Sequence, residues 1–313
     1  MLSVAEQTSC ESPVLSVAMI TYKHEKFIAQ AVESVLMQKT DFAVELVIGE
    51  DCSPDGTAAI VKNYASKYPG VIRARCNQTN LRMLPNSKKT LAECRGKYLA
   101  FLEGDDYWTD PRKLQRQVDF LERNPDYVGV GHDKLTVQGD QPSPKAEPDD
   151  DAFTVNEVPA REFLSMVPFA NGSVVCRNIE INYPSWFEKL PFGDWSLVVL
   201  FSRHGKWGFS KSVMSAYRIH PGGIWSHSKL VSLEHEKALE FFYTSVFHDF
   251  PDLRPLLIKH VVLVQNNLLT HGACDKRKAL GYLLYDKSFL LKEPMLALKV
   301  IAKLLFKPSR IGS

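Results

Sequence analysis

The chain has 313 residues, of which 45% are hydrophobic and 24% charged, a composition typical of a globular protein with a sizeable core. Its 38 basic and 36 acidic residues leave a net charge of +2, so charge gives no reason to expect a nucleic-acid partner. The N-terminus lacks a signal-peptide pattern, and no apolar stretch reaches the roughly 18 residues of a membrane span. We therefore expect a cytoplasmic protein with one large domain, or with one domain and an appendage.

Strands and helices are predicted to alternate along the first half of the sequence. Apolar runs predict strands at 15–21, 44–49, 71–76 and 97–102. Apolar residues at helical spacing predict helices at about 24–38, from Ser53-Pro54 onward, before Cys94 and after Asp110-Pro111. This alternation indicates an α/β fold with a largely parallel sheet.

The second half of the sequence predicts strands at 128–137 and 213–219, a solvated loop at 139–151, a helix at about 195–204 and helices from Leu230 onward. The stretch 283–307 mixes Leu, Ile, Phe and Met with several lysines. One interpretation is an amphipathic helix that lies on an anionic membrane. The other is a helix, or a helical hairpin, that packs on the main domain.

Acidic residues follow three different apolar runs, as Glu50-Asp51, Glu103-Gly104-Asp105-Asp106 and Asp194. Buried strands that end in carboxylates deliver them to one edge of a sheet, where open α/β sheets bind ligands. Carboxylates gathered there repel one another unless a cation or a hydrogen-bonding ligand lies among them. The pair Asp105-Asp106 therefore favours a divalent-cation site over a solvated acidic turn. Asp51 either accepts hydrogen bonds from a nucleobase or ribose, or caps a turn.

Several common functional motifs are absent from the sequence. It contains no GxGxxG, no GxxxxGK[ST] and no GxSxG pattern. Its six cysteines include no CxxC pair, so neither a zinc site nor a disulfide framework is predicted. The residues His24, His132, His204 and His220 show no metal-ligand spacing, and each is interpreted as a surface or capped histidine.

Three ordered motifs, at 15–27, 50–57 and 95–108, resemble the family 2 glycosyltransferases of the GT-A fold. The resemblance covers about residues 14–225. It implies a Rossmann-like, mostly parallel sheet flanked by helices in a domain at 1–228, followed by a helical C-terminal region at 229–313. Within the domain it implies a nucleotide-sugar half at about 14–135 and an acceptor half at about 150–228.

The resemblance also implies roles for single residues. Nucleotide contacts are expected from Thr21, Tyr22, Glu25, Asp51, Arg82 and Asp105. Asp106 is the expected ligand of Mg²⁺ or Mn²⁺, Glu103 a further contact, and Asp194 the general base. Contacts on the diphosphate and acceptor side are expected from Arg218, His220 and Trp195.

The activity implied is an inverting transfer of a sugar from a nucleoside-diphosphate sugar, UDP-hexose first, to a hydroxyl of a glycan or lipid-linked acceptor. The implied setting is surface polysaccharide or lipopolysaccharide synthesis at the inner face of the cytoplasmic membrane. Two alternatives stay open. A nucleotidyltransferase that makes sugar nucleotides would have a basic, glycine-rich loop where 21–24 read Thr-Tyr-Lys-His. A non-catalytic nucleotide- or sugar-binding module would not need Asp51, Asp106 and Asp194 together.

Overall fold

Strands and helices alternate along the first half of the chain, as the sequence predicts. The computed structural model describes residues 1–7, 12–139, 153–165, 169–223 and 233–306, so the predicted loop at 139–151 lies outside the described residues except for Gly139. The strands are β1 (Leu2–Ser3), β2 (Leu15–Thr21), β3 (Lys39–Thr40), β4 (Val44–Glu50), β5 (Ile72–Cys76), β6 (Tyr98–Glu103), β7 (Tyr107–Trp108), β8 (Tyr127–Gln138), β9 (Val155–Val158), β10 (Val175–Arg177) and β11 (Lys206–Ile219). The helices are α1 (Ile28–Leu36), α2 (Thr57–Lys67), α3 (Met83–Ala92), α4 (Lys113–Arg123), α5 (Ala160–Ser165), α6 (Asp194–Phe201), α7 (Leu233–Asp249), α8 (Arg254–Thr270), α9 (Lys276–Tyr285), α10 (Lys287–Lys292) and α11 (Pro294–Phe306).

A nine-stranded sheet has the order β5-β4-β2-β6-β10-β8-β11-β7, and β9 pairs with β11. Its first four strands are parallel, with Thr21 opposite Glu50 and Ile20 opposite Glu103. Strands β2, β4 and β6 therefore end together at one edge of the sheet. Beyond β6 the sheet is mixed, because β10 is antiparallel to both β6 and β8, whereas β11 is parallel to β8. The predicted α/β fold is confirmed, with its parallel character concentrated in the first four strands.

The central strands are buried almost throughout, which explains their continuous apolar sequences. All seven residues of β4 are buried, and so are six of the seven in β2. Strands covered on both faces lose the alternation of apolar and polar residues that marks a half-exposed strand. Helix α4 buries Leu114, Val118 and Leu121 against this core, at the helical spacing read from the sequence.

Two helices begin later than the sequence predicts: α1 at Ile28 instead of about 24, and α2 at Thr57 instead of Pro54. The reason is hydrogen bonding around the two starts. The Asp55 carboxylate accepts hydrogen bonds from the Thr57 amide and hydroxyl, at 3.1 and 2.6 Å. The Thr57 hydroxyl oxygen accepts from the His24 amide at 3.0 Å. The bond between His24 and Thr57 links the two loops, and local sequence preference cannot show such a contact. The His24 carbonyl also accepts from the Ile28 amide at 2.8 Å, so backbone bonding still closes the turn before α1.

The chain divides into two compact units, Met1–Tyr183 with Phe192–Ser226, and Pro184–Pro191 with His227–Ser313. The first contains the large sheet. The second is helical in its described residues, as predicted from Leu230 onward, and packs α7 and α11 against α8. Within it, the Trp186 indole donates a hydrogen bond of 2.7 Å to Asp249. Among the described residues, no helix has both the length and the apolar character needed to cross a bilayer.

Gly96, just before β6, offers a test of how closely β2 and β6 are packed. A Cβ at this position would lie 2.5 Å from the Ser16 backbone nitrogen and 2.7 Å from the Leu15 carbonyl carbon. Because backbone atoms cannot move aside cheaply, we expect Gly96→Ala to lower the free energy of unfolding by about 1–3 kcal/mol, measured by thermal or urea unfolding. Gly172→Ala is the control, since its Cβ would meet only the flexible Leu102 side chain, at 3.3 Å. Equal stability of the two variants would contradict this close packing.

Candidate functional site

Asp51 lies directly after β4 and is 3% exposed. Its Oδ1 accepts two hydrogen bonds of 2.9 Å, one from the Asn77 side-chain amide and one from the Leu81 backbone amide. Within the described residues its Oδ2 has no hydrogen-bond donor. The carboxylate is therefore fixed in orientation by one oxygen, and the other is available to a ligand. The structure also brings the loop of Arg82, whose φ is 71°, next to Asp51; the nucleotide contact of Arg82 itself stays a prediction.

Asn77 is held in turn by a polar network behind it. Its side-chain nitrogen donates to Asn86 Oδ1 at 3.0 Å, and its oxygen accepts from Arg75 at 3.3 Å. Arg75 also donates to the Thr90 hydroxyl at 2.9 Å and pairs with Glu93. The network joins β5 to α3 and limits the rotation of Asn77, and so it limits the rotation of the Asp51 carboxylate.

The other predicted nucleotide residues lie in the loop after β2. Thr21 is buried at the end of the strand, whereas Tyr22 is 38% exposed and Glu25 is exposed. The Glu25 amide donates to Asp55 at 3.4 Å. Asp55 is thus occupied by hydrogen bonds from Thr57 and Glu25, which gives it a structural role. Contacts of Thr21, Tyr22 and Glu25 with a nucleotide stay predictions.

The acidic turn after β6 meets two histidines from distant parts of the chain. Asp105 Oδ2 lies 3.0 Å from Nε2 of His220 and 3.5 Å from Nε2 of His24. Candidate ligand atoms of these three residues all lie within 4.8 Å of one another. Gly104 allows the approach, because a Cβ there would clash with the Thr21 hydroxyl and touch the His24 ring. These histidines show no metal-ligand spacing in the sequence, because the sheet and not the local chain brings them together.

This donor set fits a divalent transition metal. Two imidazoles and a carboxylate suit Mn²⁺ and its neighbours better than Mg²⁺, which prefers oxygen ligands. The Nδ1 atom of His24 lies 3.2 Å from the Thr21 hydroxyl, an outer contact of the kind that orients metal-binding histidines. Asp106, the metal ligand expected from the sequence, lies outside this group: it is 5% exposed and accepts a 2.8 Å hydrogen bond from the Arg218 amide. Its contact with a metal stays a prediction.

Arg218 forms hydrogen bonds with the acidic turn. It is 4% exposed, and its guanidinium donates to the Asp105 carbonyl at 2.8 Å, to Gln30 at 2.6 Å and to the Gly139 carbonyl. The guanidinium also lies 4.6 Å from the centre of the Phe27 ring. In this arrangement Arg218 stabilises the turn that carries Asp105. Its expected contact with a diphosphate stays a prediction.

The three carboxyl groups of the acidic turn have pKa values shifted in different directions. Burial, together with the charges of Asp105 and Asp194, raises the pKa of Glu103 to about 8, although the hydrogen bond from Asn171 acts in the opposite direction. Burial also raises the pKa of Asp106 well above its usual value, with added effects of Asp105 and Glu103. Burial alone would raise the pKa of Asp105, but the hydrogen bond from His220 and the nearby histidine charges hold it below its usual value. One ionised carboxylate therefore lies between two acids that favour the neutral form.

Asp194 is the first residue of α6, and its Oδ1 accepts a 2.8 Å hydrogen bond from the Trp195 amide. Burial raises the pKa of Asp194 above its usual value. It borders a small cavity that is also lined by Asn171, the partner of Glu103, so this cavity adjoins the acidic turn. Trp195 is 8% exposed and its indole donates to the Phe163 carbonyl at 2.6 Å, so its expected contact with an acceptor stays a prediction.

Four residues near these groups were not singled out by the sequence analysis as site residues: His24, Asn77, Asn171 and Tyr217. Burial and the charges of the neighbouring acids, Asp194 among them, raise the pKa of Tyr217 to about 12, which places its phenol among the same carboxyl groups. Asn77 directly follows β5 and Tyr217 lies near the end of β11, and that position was their signal in the sequence. His24 lies inside the motif at 15–27, which was its signal, whereas the sequence offered none for Asn171.

Comparison with known proteins decides the family. Residues 16–167 match the family model described as Glycosyl transferase family 2. This part of the chain belongs to glycosyl transferase family 2. The matched range contains Thr21, Asp51 and the whole acidic turn. The resemblance seen in the three sequence motifs is thereby confirmed.

Curated relatives extend the match beyond the family model. An uncharacterized protein of Mycobacterium tuberculosis is 34% identical over 218 residues, which are 67% of this chain and 60% of that protein. The putative teichuronic acid biosynthesis glycosyltransferase TuaG of Bacillus subtilis is 32% identical over 128 residues, which are 41% of this chain and 50% of TuaG. The chain thus spans 60% and 50% of the lengths of these two relatives.

Solved structures of other glycosyltransferases share the fold. The crystal structure of residues 1–349 of S. aureus TarS in complex with UDP aligns with a TM-score of 0.57 over 92% of this chain and 80% of that one, at 18% identity. The mannosyltransferase PcManGT from Pyrobaculum calidifontis, in complex with GDP-Man and Mn²⁺, aligns with a TM-score of 0.56 over 97% and 89%, at 14% identity. At such identities the similarity establishes the fold alone, and it confirms the GT-A expectation.

The three-residue donor set predicts where a metal binds. We expect Mn²⁺ to bind the purified chain in a calorimetric titration, and His220→Ala to weaken its affinity at least about tenfold because one ligand is lost. His204→Ala is the matched control, since this exposed histidine lies outside the group. Asp106→Asn is expected to change the affinity less than His220→Ala does. Loss of Mn²⁺ binding in Asp106→Asn with retention in His220→Ala would overturn this prediction and assign the metal to Asp106.

Proposed function

We propose that this chain is an inverting glycosyltransferase that moves a sugar from a nucleoside-diphosphate sugar to a hydroxyl acceptor. The proposal is supported by Asp51 and Asp105, which follow parallel strands at one edge of the sheet, and by Asp194, which borders the cavity beside the acidic turn. Complexes of structurally similar proteins with UDP and with GDP-Man support a donor of this class. A UDP-sugar is the first donor to test.

The base of the donor is proposed to bind against Asp51. The free Oδ2 of this carboxylate can accept the N3–H of uracil, while Oδ1 stays bound to Asn77 and Leu81. Thr21 and Tyr22 would lie against the base and ribose, and Arg82 would lie near the nucleotide from the neighbouring loop.

The diphosphate of the donor is proposed to lie over the acidic turn. A divalent cation, Mn²⁺ or Mg²⁺, would be held by Asp105 with His24 and His220, and Asp106 would be a further ligand or the support of the turn. When bound, the cation supplies positive charge that offsets the charge developing on the departing diphosphate. The residues of the chain bind and orient: Arg218 holds the turn in place, and Asn171 donates a hydrogen bond to Glu103 at the end of β6.

The acceptor hydroxyl is proposed to approach from the side of Asp194. A hydroxyl is a poor nucleophile until its proton is removed, and Asp194 is the proposed base. The raised pKa of Asp194 makes it a stronger proton acceptor than an exposed aspartate, provided that the working pH lies above that pKa. Attack from the face opposite the diphosphate inverts the anomeric carbon. His220 and Trp195 complete the proposed diphosphate and acceptor side.

For the acceptor we propose a glycan or a lipid-linked glycan of surface polysaccharide synthesis, handled at the inner face of the cytoplasmic membrane. The name of TuaG, which refers to teichuronic acid biosynthesis, supports this class of product. The basic and apolar C-terminal helices are compatible with an acceptor that carries a lipid.

Asn77 tests the base site. Because its amide fixes the orientation of Asp51, we expect Asn77→Ala to lower the affinity for UDP about tenfold, the effect of losing a hydrogen bond to a charged group. The measurement is calorimetric titration of UDP, with GDP as a competitor. Asn124→Ala is the control, since the Asn124 amide bonds only to the Phe120 carbonyl of its own helix. Unchanged UDP affinity in folded Asn77→Ala would contradict the assignment.

Asp194 tests the chemical step. Asp194→Asn cannot accept a proton, so we expect the turnover of a sugar nucleotide to fall about 10²–10⁴-fold while the affinity for UDP stays within about twofold. Turnover is measured as nucleoside-diphosphate release from a panel of UDP- and GDP-sugars at saturating donor, with Asp133→Asn, an exposed aspartate on β8, as control. Because burial raises the pKa of Asp194, the wild-type rate should rise with pH through a limb above the usual value of 3.8, and this limb should be absent in Asp194→Asn.

A folded chain that binds no nucleoside diphosphate and turns over no sugar nucleotide would defeat the proposed function. Loss of UDP affinity in Asp194→Asn would move that residue from the chemical step to donor binding.

A further inference from the structure

The outer face of α11 is apolar. Met295, Leu298, Ile301 and Leu305 are 68%, 61%, 36% and 70% exposed. Their spacing of three, three and four residues places them on one side of the helix. The exposed side of a helix at the surface of a globular protein is normally polar. An apolar face of this kind indicates a binding surface.

The opposite face of α11 is already packed. Ala297 is 3% exposed and Val300 is fully buried. The Lys303 ammonium donates to Asn266 at 2.8 Å and to the Thr270 hydroxyl at 2.6 Å, both on α8. One side of the helix is therefore packed against its own unit. The exposed leucines lie on the other side and do not belong to the core of that unit.

The apolar exposure is concentrated in this part of the chain. Of the 13 large hydrophobic side chains that are exposed in the described residues, eight lie between Leu280 and Leu305. Leu291 at the end of α10 is 84% exposed, and Leu284 on α9 is 54% exposed. Both helices contact α11. Scattered apolar residues on a surface need no explanation, but a group of this size does.

The charge of the same region is strongly positive. The 38 residues after Asp275 contain nine Lys or Arg and two acidic residues, whereas the first 275 residues contain 29 basic and 34 acidic ones. Lys292 and Lys299 are exposed, and Lys299 lies beside the apolar face of α11. Lysine side chains can lay their methylene groups along an apolar surface and extend the ammonium group to a layer of phosphates.

These observations favour one kind of partner. A second copy of the chain would bring two basic surfaces together, which costs free energy, whereas an anionic surface is attracted by both lysines. With 13 residues, α11 is about 20 Å long and too short to cross the roughly 30 Å of a bilayer core. A helix with an apolar face and flanking lysines lies instead in the plane of the headgroups.

We propose that α11, with the end of α10, docks this chain on an anionic lipid surface. Met295, Leu298 and Leu305 enter the boundary between headgroups and acyl chains, and Lys292 and Lys299 contact the lipid phosphates. This inference does not depend on the glycosyl transfer, because the docking residues lie outside the candidate site.

The test is sedimentation of the full chain with vesicles of phosphatidylcholine alone or mixed with phosphatidylglycerol. The chain is expected to sediment with the mixed vesicles, to stay in solution with phosphatidylcholine, and to be released by high salt. The double variant Leu298→Gln/Leu305→Gln is expected to bind at least about tenfold more weakly, because two leucines no longer leave water. Lys292→Gln/Lys299→Gln is expected to lose the preference for phosphatidylglycerol.

The matched control is Leu256→Gln/Leu263→Gln, two leucines of α8 that are 39% and 41% exposed. This variant is expected to bind vesicles as the wild type does, and unfolding midpoints are compared to exclude misfolding. Wild-type protein that stays in solution with the mixed vesicles would overturn the proposal, as would equal binding by the Leu298/Leu305 variant. A dimer in sedimentation velocity that this variant abolishes would assign the face to a second copy instead.

Discussion

The site depends on the cost of placing several carboxyl groups in one small volume away from water. Glu103, Asp105, Asp106 and Asp194 cannot all be ionised there without a compensating charge. The four groups differ in the charge state that the structure favours. Two histidines stabilise the ionised form of Asp105, whereas burial favours the neutral form of the other three. A cation entering this group would favour ionised carboxylates, so metal binding and proton release are coupled. The long strand β11 is part of this arrangement, because it supplies both Arg218 and the segment that leads to His220.

The parallel strands could be predicted because burial on both faces leaves a continuous apolar run, and β2 begins and ends where the sequence predicts. The mixed part of the sheet was predicted less well, since β11 begins at Lys206 and not at 213. The first residues of the helices were harder to predict. Ser53-Pro54 has the residues of a helix N-terminus, but the Thr57 hydroxyl accepts a hydrogen bond from His24, thirty-three residues away in the chain. Contacts between loops of this kind compete with helix formation, and no window of local sequence contains both partners.

In the candidate site, too, some features could be predicted from the sequence and others could not. Asp51 and Asp105 could be placed from the sequence, because parallel strands in register bring their ends to one edge. The direction in which a side chain points could not be predicted from the sequence. Arg218 and Trp195 are expected from the sequence to contact the diphosphate and the acceptor, yet the guanidinium of the first and the indole of the second bond to backbone carbonyls inside the protein. His24 is the reverse case, a residue of the first motif to which the sequence assigned no role and which the fold places against Asp105.

The register of β2 determines whether a folded molecule has an assembled site. This strand pairs with β4 on one side and β6 on the other, and Thr21 lies opposite Glu50 in the first pair. Side chains alternate between faces along a strand, so a slip by one residue would turn each side chain of β2 to the wrong face and displace the His24 loop from Asp105. A chain trapped in such a slipped pairing could keep much of its secondary structure and still lack an assembled site. The fraction of molecules able to bind ligand therefore reports on correct strand pairing more faithfully than helix or strand content does.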